Sequence, residues 1–133
     1  MTESLEMQKG TLVEWLHDFG YKAKIKDKNK NFILTAADGY NINITVYDYS
    51  VQYSCSFSIN SNEATLKSCN EFNSKWRWVK AYIHTYNDGT NACFVECDNR
   101  VNYLAEDGKK EFESDFQTFI EILRKTNSLF SNK

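Results

Sequence analysis

The chain has 133 residues, 41% of them hydrophobic and 26% charged, which is enough for one hydrophobic core and too little for two. Sixteen basic residues against eighteen acidic give a formal charge of −2, so no net field draws the molecule to phosphate backbones or anionic lipid. No apolar run reaches the roughly 18 residues of a membrane span, and the first six residues lack the basic start and apolar stretch of a secretory signal; a single cytoplasmic domain over residues 1–133 is the expectation, with no membrane partner. The four cysteines, Cys55, Cys69, Cys93 and Cys97, are then expected to be reduced thiols.

Leu5, Leu12, Val13, Trp15, Leu16 and Phe19 recur at helical spacing, and Gly20 follows where a C-terminal cap belongs. This predicts a first helix over residues 3–19. Residues 21–25 and 32–36 read as strands joined by the charged stretch Lys26-Asp27-Lys28-Asn29-Lys30-Asn31. Asp38-Gly39 marks a tight hairpin turn in which both residues take positive φ.

The clearest pattern comes next. Ile42, Ile44 and Val46 alternate with Asn41, Asn43 and Thr45, and Val51, Tyr53, Cys55, Phe57 and Ile59 alternate with polar residues. With Asp48-Tyr49 as the turn, Val46 faces Val51, Ile44 faces Tyr53 and Ile42 faces Cys55, so register and burial agree. Asn60 and Glu63 resemble a capping box ahead of a short helix over residues 61–73, with Leu66, Cys69 and Phe72 as its narrow apolar stripe. Residues 76–86 and 91–98 form a further hairpin about Asn87-Asp88-Gly89-Thr90. Phe112, Phe116, Phe119, Ile120, Leu123 and Phe130 define a closing helix over residues 108–129, acidic at its start through Asp107 and Glu111.

The order is thus α-β-β-β-β-α-β-β-α, an α+β fold with helices packed on one face of an antiparallel sheet. The helix ending Trp15-Leu16-His17-Asp18-Phe19-Gly20, the stretch from Cys69 to Tyr82 and the Phe-rich closing helix resemble the YbjN domain, also called the bacterial sensory-transduction regulator family. The resemblance runs over most of the chain. It implies a fold like the small dimeric chaperones of type III secretion and a non-enzymatic regulator with no catalytic residues to carry over. The family's asparagine-containing turn, leading into a strand of alternating aromatic and basic residues, corresponds to Asn70, Asn73, Trp76, Lys80 and Tyr82.

Placing Tyr86 opposite Asn91 puts Val79, Ala81, Ile83, Ala92 and Phe94 on the core face of the last hairpin. The other face then carries Trp76, Trp78, Lys80, Tyr82, His84 and Tyr86 with Cys93, Val95 and Cys97, more aromatic area than a solvated sheet normally shows. The bland account is that the second helix or a second copy of the chain covers it. The functional account is a surface for a protein partner, with Trp76, Trp78, Lys80, Tyr82, His84 and Tyr86 as contacts and Trp78 and Tyr82 as the energetic centre. A homodimer is expected, with no cofactor and no small-molecule substrate.

Three other constellations compete. In this register His84 lies across from Cys93, the minimum for a thiol enzyme, but no third group orients the imidazole. Cys93 and Cys97 stand about 13 Å apart on one strand face and cannot share a zinc ion, so no metal site is expected. Lys22, Lys24, Lys26, Lys28 and Lys30 would form a basic ridge along a strand, commonly an edge-protecting device and more rarely a contact for an acidic partner or single-stranded nucleic acid; nucleic acid is not expected. His17 is expected to interact with the carbonyls ending the first helix.

Overall fold

The computed structural model describes residues 2–58, 62–75 and 78–130. Along the chain come α1 (Thr2–Asp18), β1 (Ala23–Lys24), β2 (Phe32–Ala37), β3 (Tyr40–Tyr47), β4 (Ser50–Ser58), α2 (Asn62–Lys75), β5 (Val79–Thr85), β6 (Asn91–Arg100) and α3 (Gly108–Phe130). This is the expected order. Asp38 and Gly39 take φ of 54° and 82° and set Ala37 opposite Tyr40, the twist-matched geometry of a two-residue hairpin. At the next turn Tyr49, at φ 59°, aligns Val46 with Val51 and Ile44 with Tyr53 as the alternation requires.

All strand pairs are antiparallel and the sheet order is β1-β2-β3-β4-β6-β5. The chain leaves β4 through α2, lays β5 at the edge and returns with β6 between them. Ile42, Ile44, Val51, Tyr53 and Val95 are buried on one face. Against that face α3 lays its Phe stripe: the Tyr53 ring lies 6.3, 5.8 and 5.3 Å from those of Phe112, Phe116 and Phe119. Leu12 and Leu16 of α1 join the same core, where Trp15 and Phe19 meet Phe112.

The second helix does not cover the aromatic side of the sheet. Cys69 of α2 has its Sγ 3.7 Å from that of Cys93, which is wholly buried on the core face, so α2 lies on the same side as α1 and α3. Cys69 and Phe72 are buried as expected, but Leu66 is 54% exposed. Asn60 lies outside the described residues.

The last hairpin is shifted by one residue from the expected register. Thr85, not Tyr86, faces Asn91, and Ile83 faces Cys93. The reason is the loop: Gly89 N–H donates to the Tyr86 carbonyl, Tyr86 N–H donates to the Thr90 carbonyl, and Gly89 takes φ 87°. This is the three-residue connection built on a turn plus a left-handed glycine. Asp88 Oδ1 fixes it by accepting from both the N–H and the hydroxyl of Thr90. A one-residue slip exchanges faces, so Cys93, Val95 and Cys97 join the core, while Ala92 and Phe94 move to the side of Tyr82.

Two polar residues of α1 hold the loops at its end of the sheet. Gln8 donates to Asp48 Oδ1 and accepts from Tyr49 N–H, both at 2.9 Å. Lys9, fully buried, donates to the carbonyls of Lys28 and Lys30 and pairs with Glu6. The stretch 26–30 is therefore tied down at its backbone. Since β1 spans only Ala23 and Lys24, the alternating lysines do not run along one strand, and the predicted ridge is not formed as such. His17 Nε2 meets the carbonyl of Ala23 at 2.9 Å, binding β1 instead of the end of its own helix. Gly108, which opens α3, has to be glycine, because a Cβ there would stand 1.8 Å from the Asn102 carbonyl oxygen.

Candidate functional site

With α1, α2 and α3 on one face, the described residues leave the other face of the sheet open. On β5 the side chains of Lys80, Tyr82 and His84 point to that face, because Val79 and Ala81 alternate with them into the core. Opposite them on β6 stand Glu96, Phe94 and Ala92. Tyr82 and Phe94 stack with centroids 5.6 Å apart, and the His84 ring meets Phe94 edge-on at 5.9 Å and Tyr86 edge-on at 4.7 Å. Tyr82 and Tyr86 are 40% and 43% exposed.

Tyr82 donates its hydroxyl to Glu96 Oε2 at 2.9 Å. Partial burial and the bond to that carboxylate push the phenol up to about 12, so it stays a neutral donor at any physiological pH. Lys80 faces Glu96 across the strands. The patch is thus a rigid, preorganised set of rings with a charged rim, the composition that anchors protein interfaces. Trp76 lies outside the described residues. Phe94 and Glu96 were missed by the sequence reading through the register slip alone.

Trp78 stands one residue ahead of β5 and is 78% exposed. Together with Cys97 and Asn99 of β6 and Asp115, Thr118 and Phe119 of α3, it lines a cavity of about 170 Å³ at the helix side of the sheet margin. Burial, followed by the charge of Glu111, raises the Asp115 carboxyl above the ordinary carboxylate value. Asp115 went unremarked in sequence. Its signal was there, since it falls three residues after Phe112 and four before Phe119, a carboxylate on the edge of an apolar stripe.

The open face has a second region. Lys24, Leu34 and Asn43 face one another across β1, β2 and β3, and with Lys22, Ala36 and Asn41 they line a shallow depression of about 540 Å³. Asn43 Oδ1 is buried there without a hydrogen-bond partner among the described residues.

The structure does not bring Cys93 and His84 together. Ile83 is the residue across from Cys93, and His84 points to the opposite face. All four thiols are buried. Burial raises each of them, Cys55 and Cys97 to about 11 and Cys69 and Cys93 in the same direction, the reverse of what a nucleophilic cysteine needs. Among the described residues no group of three or more His, Cys, Asp or Glu side chains is placed to hold a metal ion, and no helix is long and apolar enough to cross a membrane.

A family model, YbjN, described as "Putative bacterial sensory transduction regulator", matches residues 9–108. The crystal structure of YbjN from E. coli, described there as "a putative transcription regulator", superposes with a TM-score of 0.65 over 90% of each chain at 18% identity. At that identity the likeness establishes the α+β fold. Among curated proteins none matches this chain.

Proposed function

The chain belongs to the YbjN family, and from that premise we propose that it is a non-enzymatic, cytoplasmic, protein-binding regulator, chaperone-like in holding another chain against the open face of its sheet. The observation that carries the reading is the one-sided placement of the helices, which among the described residues leaves the cluster of Tyr82, His84, Tyr86 and Phe94 uncovered. Rings already stacked on one another lose little rotamer freedom on binding, so their burial is converted efficiently into affinity. Lys80 and Glu96 at the rim set orientation. A second copy of the chain is the first occupant to test and a client segment the next. No cofactor enters this reading. The deeply buried thiols argue against a thiol enzyme, and the break-up of the lysine ridge argues against a nucleic-acid module.

Sedimentation equilibrium over a concentration series, on the protein and on Tyr82→Ala, tests it. A self-association that weakens by roughly tenfold or more in the variant assigns the cluster to a dimer. If the protein is monomeric, the same pair used as immobilised baits should differ in what they retain. Equal association and equal retention by protein and variant would sink the proposal.

A further inference from the structure

Cys69 and Cys93 lie 24 positions apart in sequence, one on α2 and the other on β6, and their Sγ atoms stand 3.7 Å apart. Cys97, on the same face of β6, turns its sulfur instead to the Asp98 carbonyl and to Asn99 Oδ1. Cys69 and Cys93 are 2% and 0% exposed, so each thiol has the other as its nearest reaction partner and bulk water is kept from both. Buried thiols in contact also serve as small apolar fillers. What sets this pair apart is the helix that brings it together. Among its described side chains α2 buries Ser68, Cys69 and Phe72 and leaves Leu66 in solvent. One turn beyond Cys69, Asn73 clips the helix to the backbone of Ala81 on β5. A helix anchored at so few points gains most from a covalent tie, and the tie is within reach. Closing 3.7 Å to the roughly 2.05 Å of an S–S bond takes less than about 2 Å of movement.

We propose that Cys69 and Cys93 are a redox pair, closed to a disulfide by a peroxide and reopened by a thiol reductant, whose bond locks α2 onto the β5–β6 hairpin. This goes beyond the protein-binding reading and stands without it. Burial raises the Cys69 thiol while the Cys93 S–H directed at it works the other way; Cys93 is raised by burial and by Cys69 as well, so Cys69 ionises first. Its thiolate attacks one peroxide oxygen, the O–O bond breaks, and hydroxide leaves and takes up the released proton as water. The product is a sulfenic acid on Cys69. Cys93 gives up its proton and attacks that sulfur, the S–O bond breaks and a second water departs, leaving the S–S bond. Two thiols have then lost two electrons and one peroxide has become two waters. Contact between the sulfurs makes the second step intramolecular, and the shielding that keeps out bulk reagents guards the sulfenic acid from further oxidation. The same shielding makes entry slow, because peroxide reaches Cys69 only when α2 lifts. The pair thus records sustained oxidation, the use to which disulfides are put in reducing compartments.

The test starts from the fully reduced, full-length protein at neutral pH and exposes it to hydrogen peroxide for hours. The intact mass should fall by about 2 Da per chain and return with dithiothreitol. Digestion with trypsin and a glutamate-specific protease, which cuts after Glu96 and so separates Cys93 from Cys97, should yield a linked peptide pair containing Cys69 and Cys93. Cys55→Ala and Cys97→Ala should oxidise as the parent does, and Cys69→Ala should not. If Cys69→Ala fails to fold, the peptide map of the parent decides. The lock itself is read at the Ala81 amide, whose hydrogen bond to Asn73 Oδ1 reports the docking of α2. Its hydrogen exchange should slow by roughly tenfold or more in the oxidised protein. No loss of mass, a bond between other cysteines or between chains, or sulfinic acid in place of a bond overturns the redox pair. A Cys69–Cys93 bond with unchanged Ala81 exchange overturns the lock. Tyr82→Ala should form the bond as readily as the parent, so the outcome is independent of whether the open sheet face binds a protein.

Discussion

Asn73 holds Ala81 by two hydrogen bonds at once, donating from Nδ2 to the Ala81 carbonyl at 3.0 Å and accepting the Ala81 N–H on Oδ1 at 2.8 Å. β5 is an edge strand, and edge backbone is a template for pairing with other chains. A side-chain amide offers the same donor and acceptor pair as a neighbouring strand, so α2 blocks the edge with one residue. Asn73→Ala should lower stability by about 1 kcal/mol and hasten aggregation, measured as the urea midpoint and as light scattering on incubation. An unchanged midpoint and unchanged scattering would show that the clamp is dispensable.

The thiols should be silent in the folded protein. With Cys55 and Cys97 raised to about 11 and Cys69 and Cys93 shifted the same way, the thiolate fraction at neutral pH is negligible. Mass spectrometry after brief iodoacetamide treatment at pH 7 should find no adduct on the native protein and four after denaturation. A single fast-reacting cysteine would reopen the thiol-enzyme reading.

Asp115 should set part of the pH dependence of stability. Its folded pKa is raised above the ordinary 3.8 by burial first and by Glu111 second. For a raised carboxyl the stabilising contribution is complete below the unfolded pKa and is lost as pH rises through the folded one. Asp115→Asn should therefore melt together with the parent near pH 3 and above it at pH 7. Partial solvent exposure keeps the gain small. A lower Tm at pH 7 would mean that the carboxylate has a stabilising partner.

Much of the fold was legible because periodicity and turn chemistry agreed. Ile44 opposite Tyr53 follows from alternation plus a two-residue turn, and Asp38-Gly39 states its own geometry. The last hairpin was not legible to the same depth. Asn87-Asp88-Gly89-Thr90 reads equally well as a loop of four residues or of three, and only the Tyr86 to Thr90 bond decides. That single residue moved Phe94 and Glu96 into the candidate site and Cys93 out of it. Tyr82, His84 and Tyr86 share the face that the alternation of their own strand predicts, whereas Trp78, expected beside them, stands ahead of β5 and lines the cavity on the helix side. The burial of Lys9 had no sequence signal, since lysine is among the residues least often buried. The side taken by α2 was not readable from a helix with so narrow an apolar stripe.

The position of β6 sets an order of assembly. β2, β3 and β4 are joined by turns of two residues and can zip from neighbour to neighbour, whereas β4 must wait for partners as remote as Arg100 for Ser50 and Ala92 for Ser58. Closing that long loop costs chain entropy before any of its contacts repay it. The seam between β4 and β6 is thus the pairing expected to close last, with α2, β5 and β6 joining across it. The aromatic cluster of Tyr82, His84, Tyr86 and Phe94 is built from β5, β6 and the turn between them, so it takes shape only with that unit.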